Sequence, residues 1–104
     1  MVLACLPFEV LQAEQVGQFR QERRKIIPLD KLKVFLEAPK RVQTMQPERV
    51  IDVLGVEQGE TVADIGAGTG FFSFYLAERV GSGGKVYVVE IEDELLDFIR
   101  EKMS

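Results

Sequence analysis

The nine residues from Val62 to Gly70, VADIGAGTG, constrain this chain more than any other stretch. TVADI at 61–65 is short and, apart from Asp64, apolar or β-branched; the turn pair Gly59-Glu60 precedes it, which predicts a buried strand. Gly66, Gly68 and Gly70 then let the backbone turn sharply and let a ligand approach it closely. Phe71 to Val80 has the length and composition of a helix, so unpaired N–H groups at its start would stand beside the glycine turn. GSGG at 81–84 ends that helix. Lys85 to Glu90, with Val86, Tyr87, Val88 and Val89 in succession, reads as a parallel strand covered on both faces. Strand, helix and strand in such close order imply a right-handed parallel crossover, the opening unit of a doubly wound α/β sheet. Asp93 is placed to cap a last helix in which Leu95, Leu96, Ile99 and Met103 share one face.

Glycine clusters also occur in plain turns, so the loop acquires meaning from its context. Glu90 falls at the tip of the second strand, twenty positions beyond Gly70, the separation at which a carboxylate accepts hydrogen bonds from both hydroxyls of a ribose. A dinucleotide fingerprint requires a third glycine at 71 for close helix packing, and position 71 is Phe. Asp64, charged within an apolar strand, is costly to bury without hydrogen bonds. Its expected partners are the N–H groups of the loop it precedes, or the amino group of a bound cofactor.

VADIGAGTG followed by VYVVE resembles motif I and the next acidic motif of class I S-adenosylmethionine-dependent methyltransferases, over roughly residues 47 to 103. The resemblance implies a Rossmann-like α/β fold and S-adenosylmethionine as cofactor. It further implies that the loop from Gly66 through Ala67, Gly68 and Thr69 to Gly70 lies against the methionine part, and that Glu90 holds the ribose. Asp64 matches the family's acidic position two before the loop, and Ile91 a position that often packs on adenine; simple core packing is the alternative for Ile91. The family's remaining strands, with the substrate-side motif, are not matched. The fold is therefore expected to be truncated after β-α-β-α and preceded by N-terminal helices. The catalytic base and the methyl acceptor stay unassigned, a small molecule being the favoured acceptor class. Rival readings are an NAD-dependent oxidoreductase fragment, weakened by Phe71 and Asp64, and a non-catalytic remnant that binds a partner.

The residues before the match divide the chain into an N-terminal helical extension or cap, 1–46, and a partial cofactor-binding domain, 47–104. Phe8, Leu11, the pair Gln15 and Val16, and Phe19 recur at helical spacing and predict an amphipathic helix over residues 8–25, ending before Ile26-Ile27-Pro28. Asp30 would cap a second helix through Leu32, Val34, Phe35 and Leu36, with Pro39 forbidding its continuation; an extended segment fits as well. Pro47 at a first turn and Gly55 after a last one bound a helix over PERVIDVLG. If the early helices form a lid over the cofactor, Arg41, Gln43 and Thr44 would reach its carboxylate; otherwise they decorate the surface.

Charge and composition narrow the partners. Residues 1–43 carry a net +3 and residues 44–104 a net −7. An acidic main body argues against binding a phosphate backbone, and Arg23-Arg24-Lys25 reads as a solvated helix end. The one cysteine, Cys5, forms no internal disulfide and, with no histidine in the chain, has no partner for nucleophilic work. No metal site is expected. No stretch is long and apolar enough to span a membrane, and Met1 to Phe8 lacks the basic start of an export signal. A cytoplasmic protein fits best. Two parallel strands leave open edges that invite association. The expectation is a portion of a larger enzyme, or a chain completed by its own helices, a second copy or a partner chain.

Overall fold

Glycine and proline set the boundaries of the elements in the computed structural model, which describes residues 26–104 together with Gln18, Gln21 and Glu22. The order is α1 (Leu29–Leu36), α2 (Lys40–Met45), α3 (Pro47–Leu54), β1 (Thr61–Ile65), α4 (Phe71–Val80), β2 (Lys85–Val89) and α5 (Asp93–Met103). The helix expected over residues 8–25, Cys5 and the basic run at 23–25 lie outside the described residues, apart from the three named.

Pro47 occupies the first turn of α3, where its missing N–H is not needed, and Gly55 closes the helix at φ 69°. Gly55 N–H donates to Asp52 O and Val56 N–H to Ile51 O, the paired bonds of a Schellman motif. Two expected caps are corrected. Helix α1 starts directly after Pro28, whose carbonyl accepts from Leu32 N–H, so Asp30 sits inside the first turn. Glu92 precedes α5, and Asp93 is its first residue. Both aspartates still favour the helix, because a negative charge in the first turn complements its dipole. Helix α2, which composition did not announce, lies between Pro39 and Gln46; the latter adopts a left-handed φ of 45° that turns the chain into α3.

β1 and β2 are parallel and adjacent, with Thr61 opposite Lys85, Val62 opposite Val86, Ala63 opposite Tyr87, Asp64 opposite Val88 and Ile65 opposite Val89. The α/β expectation holds: α4 bridges the strands. The second strand ends at Val89 and is covered on one face only, contrary to the reading from its unbroken apolar run. Val62, Asp64, Val86 and Val88 are half-buried, whereas Ile65, Tyr87 and Val89 on the opposite face are exposed. The reason is that only α4 packs closely on the described pair, and the side of Asp64 bonds to its Ser73. Among the described residues, the core is made of the buried side chains of Ile51 of α3, Leu76 and Val80 of α4, and Leu95 and Ile99 of α5. Arg79 of α4 ties α3 to this core by pairing with Asp52 and donating to Val56 O. Among the described residues, no helix is long and apolar enough to cross a membrane.

The turn into β2 requires a glycine at 84 for space. A Cβ there would lie 2.4 Å from Val80 Cβ and 2.7 Å from Glu60 O, and Glu60 O already accepts from Lys85 N–H. Backbone on one side and a buried valine on the other leave no room to yield. Gly84→Ala should therefore cost about 1–3 kcal/mol of stability, read as a lowered denaturation midpoint with an unchanged urea m-value.

Candidate functional site

The glycine turn is held from two sides. Gly66 and Ala67 N–H both donate to Val89 O, at 2.8 and 3.1 Å, so the last carbonyl of β2 anchors the start of the loop. Gly66, Gly68 and Gly70 have φ of 75°, 61° and 82°, a region that residues with a Cβ avoid. Gly70 is also packed, since a Cβ there would stand 3.1 Å from both Ile99 and Phe74. At Gly66 a Cβ would meet nothing within 4 Å, so the backbone borders open space.

That space is a cleft of about 580 Å³, within the range of roughly 300–1,000 Å³ usual for small-molecule sites. Its floor brings together six of the residues expected from sequence: Asp64, Gly66, Ala67, Gly68, Glu90 and Ile91. The other two, Thr69 and Gly70, are buried behind it and shape the turn without lining the cleft. Ile65, Phe71, Phe72, Val89 and Leu95 add apolar wall, and Leu32, Leu36 and Arg41 reach it from the N-terminal helices.

Each carboxylate in the cleft has a defined set of bonds. Asp64 Oδ2 accepts from Ser73 Oγ at 2.6 Å, so its partner is a hydroxyl on the first turns of α4 rather than the expected loop N–H groups. Ser73 is buried and its hydroxyl needs an acceptor; the bond thus satisfies both groups. Glu90 Oε2 accepts from Gly68 N–H at 2.8 Å, and Oε1 accepts from Ile91 and Glu92 N–H at 2.8 and 3.1 Å. One carboxylate therefore couples the glycine loop to the start of α5. It retains acceptor capacity on Oε2, which takes a single bond.

Helix α1 closes one side of the cleft. Leu36 Cδ1 would stand 3.2 Å from a Cβ at Gly68, and Glu37, just after the helix, receives Lys102 Nζ at 3.0 Å on both carboxylate oxygens. Lys102 also donates to Thr69 O at 3.4 Å and lies over the rings of Phe74 and Phe98. Lys33 lies over Phe98 as well. This clasp joins α1, the loop and α5, and sequence reasoning missed it because Glu37 and Lys102 are 65 positions apart. Arg41 NH1 donates to Leu36 O at 2.7 Å, and its guanidinium stands 4.3 Å from the centre of the Phe71 ring. Of the three polar residues considered for the lid, Arg41 alone lines the cleft; Thr44 turns back to the carbonyls of Lys40 and Arg41, and Gln43 is exposed.

Burial pushes the Glu37 carboxyl up, but the nearby Thr69 hydroxyl and the Lys102 ammonium, with Arg41 adding its charge, outweigh it and hold the group below the ordinary carboxylate range. A lowered folded value means that the stabilisation is complete above the unfolded-chain value and disappears as pH falls through the folded one. The pair is about a third exposed, with side-chain accessibilities of 32% and 35%, so solvent limits its worth to about 1 kcal/mol or less. Acid titration of thermal stability should show this loss at acidic pH, and Lys102→Met should flatten it.

Residues 56–104 match a family model described as a methyltransferase domain. Over 56 residues, 54% of this chain and 22% of the relative, the sequence is 46% identical to a protein-L-isoaspartate O-methyltransferase of Aeropyrum pernix. Over 53 residues, 51% of this chain and 21% of the relative, it is 42% identical to a ubiquinone/menaquinone biosynthesis C-methyltransferase of Salmonella arizonae. The chain thus spans about a fifth of the length of these curated relatives. The crystal structure of a SAM dependent methyltransferase from Aquifex aeolicus aligns with a TM-score of 0.68 and 36% identity, covering 74% of this chain and 40% of that one. This share exceeds residues 56–104, so the structural likeness extends into the segment before them.

Proposed function

Since residues 56–104 belong to the S-adenosylmethionine-dependent methyltransferase family, we propose that the cleft binds S-adenosylmethionine and that the chain is the cofactor-holding part of a methyltransferase. The observation that carries this reading is the convergence of Gly66, Gly68, Glu90 and Ile91 on one cleft of suitable size. The residues fit the cofactor: open backbone at Gly66 permits close approach, Glu90 Oε2 has room for a ribose hydroxyl, and the apolar side chain of Ile91 offers a surface for a purine.

When bound, the cofactor supplies an electrophilic methyl group on a sulfonium. What the chain's own residues contribute is position. The carbonyl of Val89 and the carboxylate of Glu90 hold the loop in shape before a ligand arrives, so little ordering entropy remains to be lost on binding. Phe71, Phe72 and Leu36 exclude water from one side. The acceptor is proposed to be a small molecule. The two relatives named above carry names for different acceptors, and each matches over only 56 or 53 residues of this chain, which supports the shared cofactor and leaves acceptor choice to other residues.

Calorimetric titration of the 104-residue chain tests the reading. S-adenosylmethionine and S-adenosylhomocysteine should bind with one-site stoichiometry while NAD gives no heat. Binding of NAD alone would favour the oxidoreductase reading. Silence with all three would overturn the proposal in favour of a partner-binding module.

A further inference from the structure

Helix α1 walls the cleft with Leu32 and Leu36, yet neither it nor α2 buries a single residue. Non-helical chain bounds the pair on both sides: Pro28 precedes α1, and Gln46, at a left-handed φ of 45°, separates α2 from α3, which Ile51 anchors in the core. The bond from Arg41 to Leu36 O joins α1 to α2 and not to the core. What holds the pair down is a few side-chain tips. Leu36 stands against Gly68, Arg41 rests on Phe71, Lys33 lies 5.6 Å over Phe98, and Glu37 receives Lys102 Nζ at 3.0 Å on both oxygens. Lys102 projects from α5, which is fixed by the buried Leu95 and Ile99, and its ammonium also reaches Thr69 O and the rings of Phe74 and Phe98. Glu37, Thr69 and Lys102 do not line the cleft, so this clasp lies behind it and does not touch an occupant.

Resting on the cofactor reading above, we propose that α1 and α2 form a flap over the cleft, latched to α5 by Lys102, and that release of this latch sets how fast the cofactor enters and leaves. The clasp is made wholly by the chain's own atoms outside the cleft, so it weighs equally on the free and the filled site. A contact common to both states changes the rates of exchange and leaves the affinity alone. The pair is ionic and about a third exposed, with side-chain accessibilities of 32% and 35%, so salt weakens the latch and speeds exchange.

Surface plasmon resonance on the immobilised 104-residue chain, with S-adenosylhomocysteine as the probe, tests this by resolving the two rate constants. In Lys102→Met, association and dissociation should both quicken about three- to fivefold, the range for losing a partly exposed ion pair, with Kd unchanged. Raising the salt concentration should bring the unmodified chain's rates toward those of Lys102→Met, whose own rates stay flat. Glu37→Gln, which leaves Lys102 its bond to Thr69 O and its place over the rings, should give the same rise and serves if the methionine variant does not fold. Adding it to Lys102→Met should quicken exchange no further, because both act on one contact. Unchanged rates with only a lowered thermal midpoint would mean that the clasp merely stabilises the fold and would overturn the proposal. A weakened affinity with association unchanged would overturn it too, since the clasp would then shape the bound site and not the route to it. Failure of the unmodified chain to bind S-adenosylhomocysteine would instead overturn the cofactor reading, and this proposal with it.

Discussion

Glu90→Ala should lower the affinity for S-adenosylhomocysteine about a hundredfold and loosen the glycine loop at the same time. The carboxylate has two tasks that no neighbour duplicates. It accepts from Gly68, Ile91 and Glu92 N–H, and in the function proposed here its Oε2 also receives the ligand. Hydrogen bonds to a charged group contribute about 1.5–3 kcal/mol each, so losing the ligand's bonds to Glu90 supplies the hundredfold figure of about 2.8 kcal/mol. The three backbone donors left behind are partly exposed and recover water, which limits the accompanying loss of stability to about 1–2 kcal/mol. Glu90→Gln, which keeps one acceptor oxygen, should fall between. Calorimetry measures the affinity and thermal unfolding the stability; an alanine variant that bound normally would remove Glu90 from the site.

Leu95→Ala is the substitution expected to cost most in stability. Leu95 is fully buried at 0% exposure, three residues into α5, and backs the cleft beside Ile91. Truncating a buried leucine costs about 2–5 kcal/mol, the upper part applying where neighbours cannot collapse into the space. Here α5 is held at both levels, by Glu92, whose carbonyl accepts from Leu95 N–H and whose N–H donates to Glu90, and by Ile99, which stands against Gly70. A chain of this length has only about 5–15 kcal/mol of stability to lose, so the change should remove a large fraction of cooperative unfolding. Urea denaturation followed by circular dichroism measures it, and a midpoint within error of the unmodified chain would contradict the packing described.

The elements that could be read in advance are those whose causes are local. Gly55 at φ 69°, Pro47 in a first turn and the glycine triplet are each a single residue type demanded by a single backbone conformation. The spacing from Gly70 to Glu90 is likewise local, because the length of one helix and one strand determines it. What escaped depends on contacts between distant positions. Ser73 as the partner of Asp64 follows from how α4 lies across β1, and the Glu37–Lys102 clasp from how α1 lies beside α5. The expectation that both faces of the strands would be covered failed for a related reason. Val86 to Val89 is apolar throughout, and apolarity states that a face needs cover without stating what provides it. Thr69 and Gly70 belong to the motif by sequence, yet they do not line the cleft, since the loop has by then turned into α4, Thr69 is buried and Gly70 packs against Ile99 and Phe74.

One cleft, floored by the glycine loop and Glu90, is proposed to receive S-adenosylmethionine. Amide chemical-shift mapping of the isotopically labelled chain, titrated with S-adenosylhomocysteine, tests it most directly. Saturable shifts are expected at Gly66, Ala67, Gly68, Ile91 and Glu92, and on the side chain of Arg41, all of them in or beside the cleft, with α3 unmoved. Shifts confined to the outer face of α3, or none at saturating ligand, would contradict it.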